Sequence, residues 1–514
     1  MIDALLIYPR LGTLDTMVVD LPLSIIYAAA DSVKRGHRIE LLDLRVLRGN
    51  WKSVLKERLA QGVRLVGVSV MTGQPLISAR DISRLVRQCS PETKIVWGGP
   101  HVTILPETVK EDFIDFLIRG YGSSSLADLL DQLKSDRPNP ALVKGLSYKK
   151  NGRIVHNDRP PFHEILSYKE LPYHLINVLD PGYQRAYSGK LMFTIFSSIG
   201  CPYKCTFCVH PTVYQDINPP KWIPLPVEEV VGHIEYAYNR FGARNICFLD
   251  DTSFPDLKRM RLIFALIIEQ GLKVTLEFRG ARINELDRMD DDFIRLMIKA
   301  GARVLKVGAE SGSDRLLNIF QKGISKEQIV RVNRKFARYP ELVVDYNFFC
   351  GAPGETYDDL RETKDMVIQL IRENPRAYYS WGSDWKPIPG SKLLEKAVQE
   401  YNFRVPRTMD EWAEMDSFDS KRKIVHPWYT PKHNNLIKIM QLSGLAIDNK
   451  IRLETATNKD LAYRLLRLLS RLYRPLAMFR LKRDLYDLPF EYELYRLMLD
   501  VFPRLTASPA RKND

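Results

Sequence analysis

The chain has 514 residues, 45% hydrophobic and 27% charged, with 76 Lys plus Arg against 62 Asp plus Glu and a net charge of +14. That length predicts two to four domains, and the composition excludes a fibrous or low-complexity protein. Six cysteines do not make a disulfide framework, and the longest apolar run, LIFALII at 262–268, is far short of the roughly 20 residues of a membrane span.

The start of the chain shows no basic region followed by a cleavage site, so no signal peptide is expected and a reducing cytoplasm is the expected setting. Residues 1–135 alternate strand and helix signals. ALLIYP (4–9) predicts a strand, LSIIYAAADSVKRG (23–36) a helix stopped by Gly36, RIELLDL (38–44) a strand and WKSVLKERLAQG (51–62) a helix. LVGVSVM (65–71), KIVWGG (94–99) and FLIRG (116–120) predict further strands, with the helix LISARDISRLVRQC (76–89) between the first two. This order predicts a parallel, doubly wound sheet whose ligands bind at the carboxyl ends of the strands.

Residues 136–190 are rich in Pro, Asn and Asp and read as a linker, with a small hairpin turning at Asn151-Gly152. From 191 to 402 the alternation resumes. Six strands are predicted at 191–198, 245–251, 273–280, 303–310, 342–350 and 376–385, with helices such as 227–242 and 358–374 between them. Six such units predict a partial β/α barrel with its chemistry at the carboxyl ends of the strands.

Residues 403–514 predict a mainly helical region, from TMDEWAEMDSFDS through HPWYTPKH to the helix ELYRLMLDVF and a frayed tail ASPARKND. Arg464, Arg467, Arg471 and Arg474 share one helical face, and Leu465, Leu468, Leu469 and Leu472 much of the other. The expectation is a helix docked by its leucines with a solvated arginine face; an anionic membrane surface is the alternative partner. His426, Trp428, Tyr429 and His433 are expected to pack and to help close a cavity.

The densest chemistry is SSIGCPYKCTFCVHP (197–211), which holds Cys201, Cys205 and Cys208 just after the first barrel strand. Zinc sites pair their ligands two to four residues apart, and a site of three thiolates with His210 stays open on spacing alone. So do three buried thiols without a metal. Thiolates in compact runs also hold iron–sulfur clusters, and three of them leave one iron of a cubane open.

CPYKCTFC, with Phe207 before its last cysteine, resembles the signature of the radical S-adenosylmethionine (SAM) superfamily. The resemblance implies a 4Fe-4S cluster on Cys201, Cys205 and Cys208 whose open iron chelates SAM, and an external one-electron reductant such as flavodoxin or ferredoxin. It implies reductive cleavage of SAM to methionine and a 5′-deoxyadenosyl radical. GAESGS (308–313) and GAPGET (351–356) resemble the family's SAM-contacting segments, with Glu310, Ser311, Gly351 and Gly354 as their carriers. Asp250, at the end of the second barrel strand, and Arg282, after the third, stand where the family places contacts to the SAM amino and carboxylate groups. Asp250 and Asp251 are adjacent and point to opposite faces of a strand, so at most one is expected to face the site.

A doubly wound domain ahead of such a barrel resembles the cobalamin-binding subfamily. Ser69 and Gly98-Gly99 fit the places where that family lodges the cobalamin nucleotide tail. The chain lacks the Asp-x-His-x-x-Gly motif of better-known cobalamin enzymes, so base-off cobalamin with no histidine from this domain is expected. GYGSSS (120–125) also departs from the family's usual acidic pattern. The resemblance implies methylation of an unactivated carbon of a small-molecule or lipid substrate. The alternatives are an oxidative cyclisation or rearrangement without methyl transfer and, more distantly, a tRNA methylthiotransferase suggested by the charge. No catalytic side chain is assigned from sequence, and nucleic acid is not the expected partner.

Overall fold

The computed structural model describes residues 1–493 except 17, 48, 163, 186–189, 218–220, 416–425 and 450–460. The later part of ELYRLMLDVF and the ASPARKND tail lie outside the described residues.

The first sheet contains β1 (Ile2–Tyr8), β2 (Ile39–Asp43), β3 (Val63–Ser69), β4 (Lys94–Gly98), β5 (Phe116–Ile118), β6 (Leu146–Lys150) and β7 (Arg153–His156). Its order is β2-β1-β3-β4-β5-β6-β7, and the first five strands are parallel. β1 and β3 are apolar and buried almost throughout because helices cover both faces of the sheet. Ile25, Ala29, Leu126 and Leu130 from two helices pack on one face, with Leu6, Leu65 and Val96. Leu55, Leu59, Leu76 and Ile82 pack on the other, with Leu5, Val66 and Val68. The chain order reverses at β1 and β3, which opens a crevice at their carboxyl ends.

The hairpin at Asn151-Gly152 forms as expected, with φ of +50° and +75° at its two central residues. It does not sit in a linker, however. β6 pairs antiparallel with β5, with Leu117 opposite Ser147, and β7 continues the sheet. The first unit therefore extends to His156, and the segment beyond it supplies wall residues to the site described below.

The second large sheet is wholly parallel: β8 (Met192–Ile195), β11 (Asn245–Phe248), β12 (Thr275–Arg282), β13 (Ala302–Glu310), β14 (Val343–Cys350) and β15 (Tyr378–Asp384), adjacent in that order. This is the six-unit partial barrel. The first predicted barrel strand is broken in two, because the chain turns at Ser197 and continues as β9 (Ser198–Gly200), paired with β10 (Trp222–Pro224). The open edge at β15 is covered by the helix Pro431–Ile447. Asp448 accepts from the Tyr379 backbone N–H at 3.0 Å, and Gln441 donates to the Gly382 carbonyl at 2.6 Å, so this edge strand is not left bare.

The region after 402 is helical over Met409–Glu414, Pro431–Ile447 and Leu461–Lys482. The last of these departs from expectation. Its leucines do not dock on the barrel: Leu465, Leu468, Leu469 and Leu472 are exposed, while Ser470, Ala477 and Leu481 are buried.

Candidate functional site

A cavity of about 340 Å³ opens at the carboxyl ends of β3 and β4 and is closed by the barrel. Ser69, Gly98 and Gly99 line it from the first sheet, and Ser198, Tyr214, Ile217 and Asp251 from the barrel side. Ser69 lies at its mouth, where its hydroxyl donates to Ser24 Oγ at 2.9 Å. Gly99 has a φ of +101°, and a Cβ there would stand 2.7 Å from the Val70 carbonyl oxygen, so only glycine fits. Gly98 differs: the nearest atom to an added Cβ is the Ile118 carbonyl oxygen at 3.9 Å.

Arg159 and Phe162, from the segment read as a linker, also line the cavity, as do the aromatic rings of Tyr27, Tyr121 and Phe196. Arg159 pairs with Asp216 and donates to the Val213 carbonyl at 2.6 Å. Among the described residues no histidine lines the cavity. His37 bonds Asp131 at 2.9 Å, and His101 is buried beside Thr72 with its pKa lowered to about 4 by burial, which keeps it neutral.

The three clustered cysteines lie between β9 and a short turn of helix at His210–Val213. The loop is pinned at Thr206, whose N–H donates to the Phe320 carbonyl and whose hydroxyl donates to the Ile319 carbonyl, each at 2.9 Å. Phe207 is held between Phe320 and Phe349, with ring centroids 5.6 and 5.4 Å away. Cys205 is buried, and Cys201 and Cys208 are half-buried. Burial pushes the Cys201 thiol up to about 12 and Cys208 up to about 11, so a positive group is needed to make them thiolates at neutral pH.

One such group is present. Arg282, the last residue of β12, donates to Cys205 Sγ at 3.3 Å and to the Lys322 carbonyl at 2.8 Å, with its guanidinium 3.7 Å from the Tyr203 ring centroid. Among the described residues, no three His, Cys, Asp or Glu side chains converge as the ligands of one metal ion would. A cubane makes a different demand, because each thiolate takes its own iron. Three thiols on one pinned loop, one already beside a cation, fit that demand.

The strand ends sort the remaining candidates. Asp250 is turned inward: it accepts from Ser197 N at 2.6 Å, Ser197 Oγ at 2.6 Å and Ser198 N at 3.0 Å, and it is buried. Its lone pairs hold the turn that ends β8, so it does not stand free for a ligand as expected. Its neighbour Asp251 lines the cavity instead. Asp251 accepts from Gly200 N at 3.0 Å and from the Tyr214 hydroxyl, and sits 3.0 Å from His210 Nδ1. It thus lies between the cysteine loop and the cavity.

Glu310 ends β13 with a φ of +67°, and Lys322 donates to its Oε1 at 2.6 Å. Ser311 is buried, with its Oγ 3.2 Å from Thr363 Oγ1 and accepting from Ser313 N at 3.1 Å, so it shapes the turn. In GAPGET, Glu355 accepts from Gly351 N at 2.5 Å and from the Tyr429 hydroxyl, and burial pushes its pKa up to about 7. Thr356 caps the helix Tyr357–Glu373. Gly351 has a φ of +85° and packs its α-carbon against the His426 ring; Gly354 has a φ of +78° and lies against Tyr401.

His426 and Trp428, expected from the sequence to pack and to help close a cavity, gather here with Trp385, which sequence reading did not single out. Both ring nitrogens of His426, and Nε1 of Trp385 and of Trp428, are buried without a hydrogen-bond partner among the described residues. They cluster at the carboxyl ends of β14 and β15, with the His426 ring 6.3 Å from Trp385 and 5.4 Å from Trp428. Buried donors left unpaired are costly, so this wall is chemically suited to an acceptor-bearing ligand.

Comparison with known proteins places two domains on the chain. The radical SAM superfamily matches residues 195–367, and the B12 binding domain matches residues 10–130. Uncharacterized methyltransferase PH0819 of Pyrococcus horikoshii is 26% identical over 411 residues, covering 78% of this chain and 84% of its own length. Anaerobic magnesium-protoporphyrin IX monomethyl ester cyclase of Cereibacter sphaeroides is 24% identical over 373 residues, covering 69% of this chain and 58% of its own. Among solved structures, the radical SAM methyltransferase TsrM of Kitasatospora setae, with cobalamin and a [4Fe-4S] cluster bound, shares the fold with a TM-score of 0.64. That likeness, at 17% identity, covers 94% of this chain and all of TsrM.

Proposed function

Because this chain belongs to the cobalamin-binding branch of the radical SAM superfamily, we propose that it is a methyltransferase that places a methyl group on an unactivated carbon. One observation carries the reading: a single cavity is lined both by the strand ends of the B12-binding sheet and by Asp251, which lies against the cysteine loop of the barrel. When bound, the cluster with SAM supplies a hydrogen-abstracting radical and cobalamin supplies the methyl group.

The chain's own residues supply position and exclusion of water. Cys201, Cys205 and Cys208 hold the cluster, with the Arg282 guanidinium offsetting thiolate charge at Cys205. Gly98 and Gly99 let the cobalamin tail lie against backbone, and Ser69 offers it a hydroxyl. Asp251 takes the role expected of Asp250, facing the SAM amino group. Glu310, Gly351 and Gly354 border SAM, and Ser311 and Phe207 shape the walls behind it. Base-off cobalamin is part of this reading on the strength of the missing Asp-x-His-x-x-Gly motif. Arg159 and Tyr214 are among the polar side chains of the lining that would meet cobalamin there. We place the protein in the cytoplasm, where a reducing setting protects free thiols and provides a flavodoxin- or ferredoxin-like reductant.

The test is anaerobic reconstitution with iron, sulfide and cobalamin, followed by product counting on candidate substrates. Methylation yields S-adenosylhomocysteine alongside 5′-deoxyadenosine. The second reading, an oxidative cyclisation, is favoured by the similarity to the Cereibacter sphaeroides cyclase and predicts 5′-deoxyadenosine with no coupled S-adenosylhomocysteine. Failure to bind cobalamin would defeat both.

A further inference from the structure

The helix Leu461–Lys482 is attached to the rest of the chain by a narrow stripe. Ser470, Ala477 and Leu481 are buried, and Arg480 is buried and paired with Glu491. At 100° per residue those first three positions fall on one side of the helix. The opposite side carries Leu461, Leu465, Leu468, Leu472, Leu476 and Phe479, in one continuous row at three- and four-residue steps, and all six are exposed. Leu468 and Leu472 are 51% and 67% exposed. Of the seventeen large apolar side chains exposed in the described chain, eleven lie between Leu461 and Phe490. An apolar strip of this extent marks an interaction surface.

Charge selects the occupant. The helix has six Lys or Arg residues and no Asp or Glu. Arg464, Arg471 and Lys482 are exposed and follow one edge of the leucine row, and exposed Arg483 continues the basic end. A long apolar row edged by cations suits a bilayer interface, where leucines enter the acyl boundary and arginines reach back to anionic headgroups. A second copy of the same face would bring like charges together at contact distance. Among the described residues no helix is long and apolar enough to cross a membrane, so the geometry is that of a helix lying on one.

We propose that Leu461–Lys482 docks this protein on the surface of an anionic lipid bilayer. The proposal is independent of the reaction carried out in the barrel. The test is co-sedimentation of the full chain with vesicles of phosphatidylcholine alone and of phosphatidylcholine mixed with phosphatidylglycerol, at low and high salt. The double variant Leu468→Gln/Leu472→Gln serves as comparison; both positions are exposed, and unchanged melting confirms that the variant folds. The expected result is binding to the anionic vesicles, weakened by salt and lowered at least roughly tenfold in the variant. Two results overturn the proposal: no binding to anionic vesicles, or equal binding by the variant. Light scattering that shows a dimer lost in the variant, with no vesicle binding, assigns the face to a second copy. Vesicle binding that appears only after removal of residues 494–514 assigns it to the chain's own C-terminal segment, and also overturns the proposal.

Discussion

Two adjacent glycines separate a ligand effect from a folding effect. At Gly98 an added Cβ meets no protein atom closer than the Ile118 carbonyl oxygen at 3.9 Å, and the position lines the cavity at the end of β4. Gly98→Val is therefore expected to fold, because valine suits a strand end and its Cβ meets no close neighbour. Its branched side chain occupies space that the proposed function gives to the cobalamin tail. Overpacking of that kind costs about 1–3 kcal/mol, or roughly 5- to 150-fold in Kd. At Gly99 the opposite holds. Its φ of +101° lies in a region other residues avoid, and a Cβ would stand 2.7 Å from the Val70 carbonyl oxygen and 3.0 Å from its nitrogen. Gly99→Ala is expected to cost about 1–3 kcal/mol from backbone strain alone, before any repulsion is counted. The assay is thermal melting of the cobalamin-free protein, followed by spectroscopic titration with hydroxocobalamin. Gly98→Val should melt like the parent and bind weakly; Gly99→Ala should melt lower by several degrees. Full-strength cobalamin binding by Gly98→Val would refute the placement of the tail.

The aspartate pair gives a similar contrast: Asp250→Ala strips acceptors from two buried N–H groups and should cost roughly 2–4 kcal/mol in a denaturant melt, whereas Asp251→Ala should melt closer to the parent and lose SAM binding in a dialysis assay. Cys205→Ala should abolish the cluster absorbance and SAM cleavage, while substitution of exposed Cys89 should leave iron content unchanged. Acid should destabilise the barrel through Glu277 on β12. Burial alone would raise its pKa, but Lys306, Arg185 and Arg279 overcome that and hold it at about 2, against 4.5 when unperturbed. Since the folded value is the lower one, this stability is complete above pH 4.5 and is lost as pH falls toward 2. It amounts to about 3 kcal/mol, and Glu277→Gln should flatten the slope of stability against pH across that window.

The alternation of β-branched runs with amphipathic segments was enough to read both sheets, since each parallel strand carries its own apolar signal. The three cysteines, Gly98 and Gly99 could be picked out for the same reason: their spacing along the chain marks them. Contacts distant in sequence were not readable. The hairpin at Asn151-Gly152 announced its own turn, but its pairing with β5 depends on an edge formed some 30 residues earlier. Alternation showed that only one of Asp250 and Asp251 could face the site; choosing between them required knowing that the chain turns at Ser197 and presents its N–H groups to Asp250. HPWYTPKH read as packing because unpaired ring nitrogens are a property of three dimensions. In Leu461–Lys482 apolar residues occur on both sides of the helix, so periodicity could not tell the docked stripe from the exposed one.

The geometry of the shared cavity depends on how the two sheets are joined, and the join is apolar on two sides. Leu21, Leu23, Ile26 and Tyr27 from the first unit are continuous with the barrel core at Phe193 and Ile195. On another side, Ile7, Val68 and Val70 share a core with Leu316, Phe320, Trp385 and Leu393 of the barrel and with Trp412 of the C-terminal region. Parting the sheets would expose both sets at once, and at about 25 cal/mol per Å² even partial exposure of this many side chains outweighs the few kcal/mol of a typical conformational equilibrium. The distance between a group held by the cysteine loop and one held at Gly98 is therefore set by packing, not by hinge closure. Under the proposed function a substrate would have to meet groups held at both places, and fixed spacing serves that, since a displacement of about 1 Å at the reacting atoms can cost on the order of 100-fold in rate. The C-terminal region adds to this join: Asp410 pairs with Arg80 of the helix Pro75–Cys89, the Ala413 carbonyl accepts from Gln74 just before that helix, and Trp412 shares the apolar core with Trp385 and Leu393 of the barrel.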